Sequence, residues 1–400
     1  TSIFFFVRVG SKHEIDGEYG MAHFLEHILF KGNKTYTTNM ELNKKIDSLS
    51  ATSNASTTKN FTNYFIKLPT TNVIEGIKLL SDMVFFSLLN NNELEKEKDV
   101  VCEEINKTFD DSENFIEDLL PYHIFKGSKL EHYVLGEKKI IQNMSRRDIL
   151  KFYKKYYIPS NTILVISGNF KSSLESQLPK ILNFDIKKNK INHNYELCCY
   201  PNKLKIISYY REHLQITLGI AFPLFNYYDK SKYCLDILIS HLDGHLTSKL
   251  WVELREKNPL VYGADASYEL FEEGGIFQIV YSLEKKNVFK SLALIHKIIK
   301  DFKNNKIKKE DFNRFKKSLI LNIDIEREDN SEVCNYYGEQ LLLSNEIKTY
   351  QHLKEEYMKC TFEDVINLAK NIFNYDKMVI IQMGDINKNT FKNKTLKIFS

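Results

Sequence analysis

Two histidines and a glutamate fall within five residues, His23-Phe24-Leu25-Glu26-His27. On a helix turning about 100° per residue, His23 and His27 stand about 40° apart and Glu26 lies about 60° to the other side of His23. Met21, Ala22, Phe24, Leu25, Ile28 and Leu29 fill the remaining arc, so one face carries chemistry and the other must be buried. Imidazoles one turn apart can hold a single zinc at about 2.0–2.1 Å each, and a carboxylate beside them can take a proton from water. The same residues would equally serve as the solvent face of an ordinary amphipathic helix.

The spacing H-x-x-E-H is the inverted zinc-peptidase arrangement, and a catalytic zinc usually takes a third protein ligand. Glu97 and Glu104 are seven apart in a helical run, within about 20° on one face. Val100 and Val101 flank that face, and a buried carboxylate without a partner is costly, so two such acids should meet a cation. Glu104 is assigned as third ligand and Glu97 to the task of orienting a ligand or water. The competing reading is a charged surface helix, to which Glu95, Lys96, Lys98 and Glu103 belong in either case.

The elements that must position these residues need more than one core, since 400 residues exceed a single ordinary domain. A 43% hydrophobic content and a net charge of only +4 exclude a disordered chain and give nucleic-acid binding no support. No apolar run is long enough to span a membrane. The six cysteines show no C-x-x-C spacing, which argues against a disulfide framework or thiolate zinc site. The six N-x-S/T sequons read as by-products of Asn richness. The expected setting is a reducing, soluble compartment: bacterial cytoplasm, mitochondrial matrix, or host cytoplasm for a viral chain. Opening at Thr1 and entering a strand at once, the chain is expected to lack its first strand or a preceding segment.

In order, a buried strand (3–9) leads through a polar loop to the His23 helix. A short helix around Leu42–Leu49, a strand over 61–68, and helices over 73–84 and 93–108 follow. Helix 148–157, a break at Pro159 and strand 162–167 end in Gly168-Asn169; the same series recurs from Asp364 to Gly384-Asp385, 216 residues on without a gap. This predicts two homologous α+β halves by internal duplication: a zinc-binding half over 1–186, a linker over 187–203 and a second half over 204–400. Within the second, strand 215–222, a long helix 233–257 and a strand pair (261–271, 276–282) are predicted.

The chain resembles the pitrilysin/insulinase metallopeptidases, in particular the mitochondrial processing peptidase branch and its bacterial relatives. The resemblance rests on Gly20 to His27 with Phe30-Lys31-Gly32, on Asn54-Ala55-Ser56-Thr57 running to Thr62 and Tyr64, and on Glu97 and Asp99 to Glu104. The Tyr156 to Asn161 segment, Leu242 to Trp251, Leu254-Arg255-Glu256 and Tyr262 also match. It implies a clamshell of two α/β halves around a chamber, one Zn2+ per chain held by His23, His27 and Glu104, and Glu26 as general base. It further implies that Arg255 and Tyr262 reach the substrate carbonyl, and that Asn54, Ala55, Ser56 and Thr57 form an edge strand pairing with an extended peptide. The implied activity is hydrolysis of unfolded peptides or presequences by a homodimer, or by a heterodimer with a homologous subunit. A catalytically inactive core or assembly subunit of the same fold is the alternative. Asp243-Gly244-His245 is bulkier than the family's small, Gly-rich run.

Overall fold

The structure, a computed structural model, describes residues 1–182, 191, 193, 195–212 and 215–400. Strands β1 (Ser2–Val7), β2 (Thr52–Thr57), β3 (Thr62–Lys67) and β4 (Thr162–Ser167) make an antiparallel sheet ordered β2-β3-β1-β4. β1 is central and apolar nearly throughout, and the pleat divides its side chains between two cores. Ile3, Phe5 and Val7 join Phe24, Leu25, Ile77 and Leu80 from helices α1 (Met21–Ile28) and, after α2 (Asn39–Ser48), α3 (Val73–Phe85). Phe4 and Phe6 face the other way, onto Cys334 and Leu342 of the Asn330–Ser344 helix. That helix comes so close that a Cβ at Gly338 would sit 2.2 Å from the Phe6 ring.

Helix α4 (Asn91–Asp110) is followed by α5 (Ser112–Ile124), which covers a second sheet. This sheet contains β5 (Lys205–Tyr209), β6 (Gln215–Leu224), β7 (Asp265–Leu270), β8 (Gly275–Glu284) and β9 (Val379–Met383), ordered β5-β9-β6-β8-β7. Only the β5–β9 pair is parallel. Ile116, Leu119 and Leu120 of α5 pack with Ala221, Val280 and Ile381.

The duplication is visible in this architecture. Helices Arg146–Tyr156 and Phe362–Ile372 begin and end one 216-residue step apart, each leading to a strand and to a left-handed glycine, Gly168 or Gly384. Read from β2, the first sheet has the order that β7-β8-β6-β9 repeats in the second, with β5 added beside β9.

Two compact units result: Thr1–Lys107 with His132–Asn194 and Ile325–Lys348, and Thr108–Glu131 with Tyr195–Asp324 and Thr349–Ser400. The continuous spans 1–186 and 204–400 are therefore interleaved in packing, because each sheet takes the cover of one apolar face from a helix outside its own span. Of the linker over 187–203, residues 187–190, 192 and 194 lie outside the described residues. The long helix expected over 233–257 is corrected: it ends at Leu242, and a loop, a turn of helix (Lys249–Trp251) and a π-helical segment (Val252–Glu256) replace the rest. Asp243 accounts for the break, since its carboxylate accepts the Ala266 N–H (2.8 Å) and holds the chain on β7. Among the described residues no helix is long and apolar enough to cross a membrane.

Candidate metal centre

Helix α1 starts on Gly20, whose φ of 93° lies in the left-handed region. A side chain there would also meet the Leu135 carbonyl at 2.8 Å, so glycine is needed on both counts. The helix's first amides are held by Glu14, which accepts from Gly20 N–H and Ala22 N–H, both at 2.8 Å. Burial pushes its carboxyl well above the ordinary value, opposed by those two donors. Met21, Ala22, Phe24, Leu25 and Ile28 are fully buried, which fixes the helix roll and sends His23, Glu26 and His27 to the opposite side.

Glu104 arrives from α4. Its Oε2 lies 3.6 Å from His23 Nε2 and 3.3 Å from His27 Nε2. One ligand atom from each of the three residues falls within 4.8 Å of the others. Ligands about 2.0–2.1 Å from a tetrahedral zinc stand about 3.3–3.4 Å apart, so the two separations from Glu104 suit that ion. On the other ring atom of His27, Nδ1 bonds Glu97 Oε1 at 3.0 Å, and the second Glu97 oxygen pairs with Lys31 Nζ at 2.7 Å. Glu97 is 4% exposed, and an Nδ1–H donated to it by a neutral His27 leaves the Nε2 lone pair for a metal.

The charges follow. Burial pulls His23 down to about 4, helped by His27 and resisted by Glu104, so its ring is neutral as a ligand must be. Burial also pulls on His27, but hydrogen bonds to Glu104 and Glu97 outweigh it and raise the ring to about 9. Without a metal, a proton on His27 thus occupies the place a cation would take between imidazole and carboxylate. Glu97 is lowered: burial would raise it, and His27 and Lys31 prevail. The hydrogen bond from His27 leads the causes that lower Glu104. Glu26 is raised by burial, although Thr57 Oγ1 donates to its Oε2 at 2.5 Å. A carboxyl shifted upward suits a group that accepts a proton and later returns it.

The five acids and imidazoles singled out in sequence are thus gathered in one unit. Val101 is fully buried beside them, whereas Val100, expected to flank the same face, is 49% exposed. Asn54 to Thr57 lie in β2, which is an edge strand bonded to β3. The Ala55 N–H is taken by the Asn54 side chain at 2.9 Å. In the other unit Arg255 and Tyr262 come together: Arg255 Nη1 donates to the Tyr262 carbonyl at 2.7 Å. The guanidinium lies 4.0 Å from the Trp251 ring centroid and 4.8 Å from that of Tyr262. Tyr262 is 87% exposed, so it is no core aromatic.

Glu14, Lys31, the Thr57 hydroxyl's bond to Glu26 and Trp251 as a platform for Arg255 were not assigned from sequence. Only Lys31, one helical turn beyond His27, offered a local signal.

The family description "Insulinase (Peptidase family M16)" matches residues 1–138, and "Peptidase M16 inactive domain" matches 143–319. A Bacillus subtilis protein described as an uncharacterized zinc protease is 25% identical over 92% of this chain and 90% of its own length. A Rickettsia bellii protein of like description is 26% identical over 92% and 88%. Among solved structures, a protease from Helicobacter pylori superposes with a TM-score of 0.89 at 20% identity, covering 96% of this chain and 94% of that one.

Proposed function

Since the chain belongs to the insulinase family of M16 peptidases, we propose that it is a zinc-dependent endopeptidase acting on unfolded peptides or presequences. The observation that carries this is the convergence of His23, His27 and Glu104 within one ion's reach, with the Glu26 carboxyl on the same helix face. His23, His27 and Glu104 would hold the metal, which when bound supplies Lewis acidity, making water a better nucleophile and polarising a carbonyl. Glu97 orients His27 through Nδ1. Glu26, raised by burial and held by Thr57, accepts the proton of the attacking water and returns it to the departing amine. The exposed edge of β2 offers backbone groups to an extended peptide, giving affinity with little demand on its sequence. Arg255, with its flanking rings, and Tyr262 are the donors assigned to the carbonyl oxygen as it gains charge. A homodimer or a heterodimer with a homologous subunit goes with this reading.

An inactive assembly subunit would be expected to lose ligand residues, and here all of them are present. The test is zinc content together with Glu26→Gln. The wild-type chain should carry about one zinc and cut a mixed peptide library at sites mapped by mass spectrometry, and the variant should keep the zinc and lose cutting. Wild-type protein without zinc, or a variant that still cuts, overturns the proposal.

A further inference from the structure

Six cysteines are present as free thiols, and two of them meet. Cys234 Sγ lies 2.8 Å from Cys360 Sγ across 126 residues of chain. Their backbones are held independently of the sulfurs. Cys234 is in the Lys232–Leu242 helix, and Cys360 caps the C-terminus of the Tyr350–Lys359 helix. Tyr357, three residues before Cys360, donates its hydroxyl to Asp236 of the Cys234 helix at 2.8 Å. Its ring also lies edge-on to Tyr233, centroids 6.2 Å apart. Lys316 Nζ donates to the carbonyls of Met358 and Cys360, each at 2.7 Å, fixing the turn from behind. The two thiols therefore face each other in a framework that needs no movement to keep them there.

We propose that Cys234 and Cys360 are a reversible thiol–disulfide pair, oxidised by hydroperoxides to a cross-link that closes this long loop within the second unit. Cys360 is the thiol to react first: the hydrogen bond from Cys234, with help from Lys316, lowers it against the effect of burial. Its sulfur takes one oxygen from hydrogen peroxide, giving a sulfenic acid and releasing water. Cys234 then attacks that sulfur; the S–O bond breaks, the S–S bond forms, and the hydroxyl leaves as a second water with the Cys234 proton. Two electrons pass from the two sulfurs to one peroxide. At 9% and 7% exposure the pair admits a small oxidant more readily than a bulky disulfide. Cys334 shows the contrast, since its buried thiol donates to the carbonyls of Ser2 and Val165 and has an oxygen partner instead.

The test uses the full zinc-loaded chain, reduced, freed of reductant, treated with hydrogen peroxide, then unfolded in alkylating agent and digested. Expected are a loss of two hydrogens in intact mass and a peptide pair joining Cys234 to Cys360, both reversed by dithiothreitol, with Cys334 alkylated. Cys234→Ser should leave a sulfenic acid on Cys360 that dimedone traps, and oxidised wild type should melt several degrees above reduced. If both residues are recovered alkylated while exposed Cys199 has been oxidised, or if Cys360 is found joined to another cysteine, the proposal is wrong. The wild-type mass decides even where a variant fails to fold.

Discussion

On the proposed ligand set, replacing Glu97 separates holding the metal from orienting its ligand. The carboxylate is 4% exposed and faces two donors, His27 Nδ1 at 3.0 Å and Lys31 Nζ at 2.7 Å. Glu97→Gln keeps an oxygen for the Nδ1–H but removes the charge, and Glu97→Ala removes both and leaves the Lys31 ammonium beside the metal site without its partner. Loss of an outer hydrogen-bond partner typically weakens metal affinity by about 10–100-fold, or roughly 1.4–2.7 kcal/mol. Gln should fall near the lower figure and Ala near the upper. Glu104→Ala, which removes a ligand itself, should exceed both. The assay is competition for zinc against a chelator of known affinity, at one pH and ionic strength, with Glu26→Gln as a control whose affinity stays at the wild-type value. An Ala variant within twofold of wild type would mean that Glu97 orients nothing. A Gln variant as deficient as Glu104→Ala would mean that Glu97 is a direct ligand and the ligand set is misassigned.

Three further outcomes are expected. Thr57→Val should lower kcat about tenfold at unchanged zinc content, the effect of losing one hydrogen bond to a charged group, and Thr57→Ser should restore it; equal kcat in Val and wild type would remove Thr57 from the site. In the metal-free chain His27 is raised to about 9, above its unfolded value near 6.5. Its contribution, on the order of 3 kcal/mol, is complete below about pH 6.5 and disappears as the pH climbs to about 9. Melting of the chelator-treated chain should therefore fall across that window in wild type and not in His27→Gln; a flat wild-type profile refutes the assignment. Arg255→Ala should cut kcat by about 10²–10³ without loss of zinc, and Arg255→Lys should not rescue it, because an ammonium cannot stack flat against the Trp251 and Tyr262 rings. Full activity in the Lys variant would reduce Arg255 to a point charge.

What could be read beforehand, and what could not, divides by the distance along the chain over which a cause acts. Within a helix the period is fixed, so the faces of α1 and α4 follow from residue spacing alone, as does the common register of the two duplicated helix–strand series. Val100 marks the limit, because spacing gives the angle of a side chain about its helix but not which neighbour covers it. The helix exchanges escape for the same reason. Phe4 and Phe6 say that β1 needs an apolar cover, but nothing near them says that Cys334 and Leu342, more than three hundred residues on, supply it. The supports of the candidate metal centre are of this second kind: Glu14 beneath the start of α1 and the Thr57 hydroxyl on Glu26 are ordinary polar residues in loop and strand until the fold closes. Most groups legible in sequence must be one particular chemical type, whereas Glu97, legible as well, joins Glu14 and Thr57 in tuning them through position. Substitutions at His23, Glu26, His27 or Glu104 should abolish function, and substitutions at Glu14, Thr57 or Glu97 should grade it. A series in which the second set proved as absolute as the first would show that position and chemistry cannot be separated in this site.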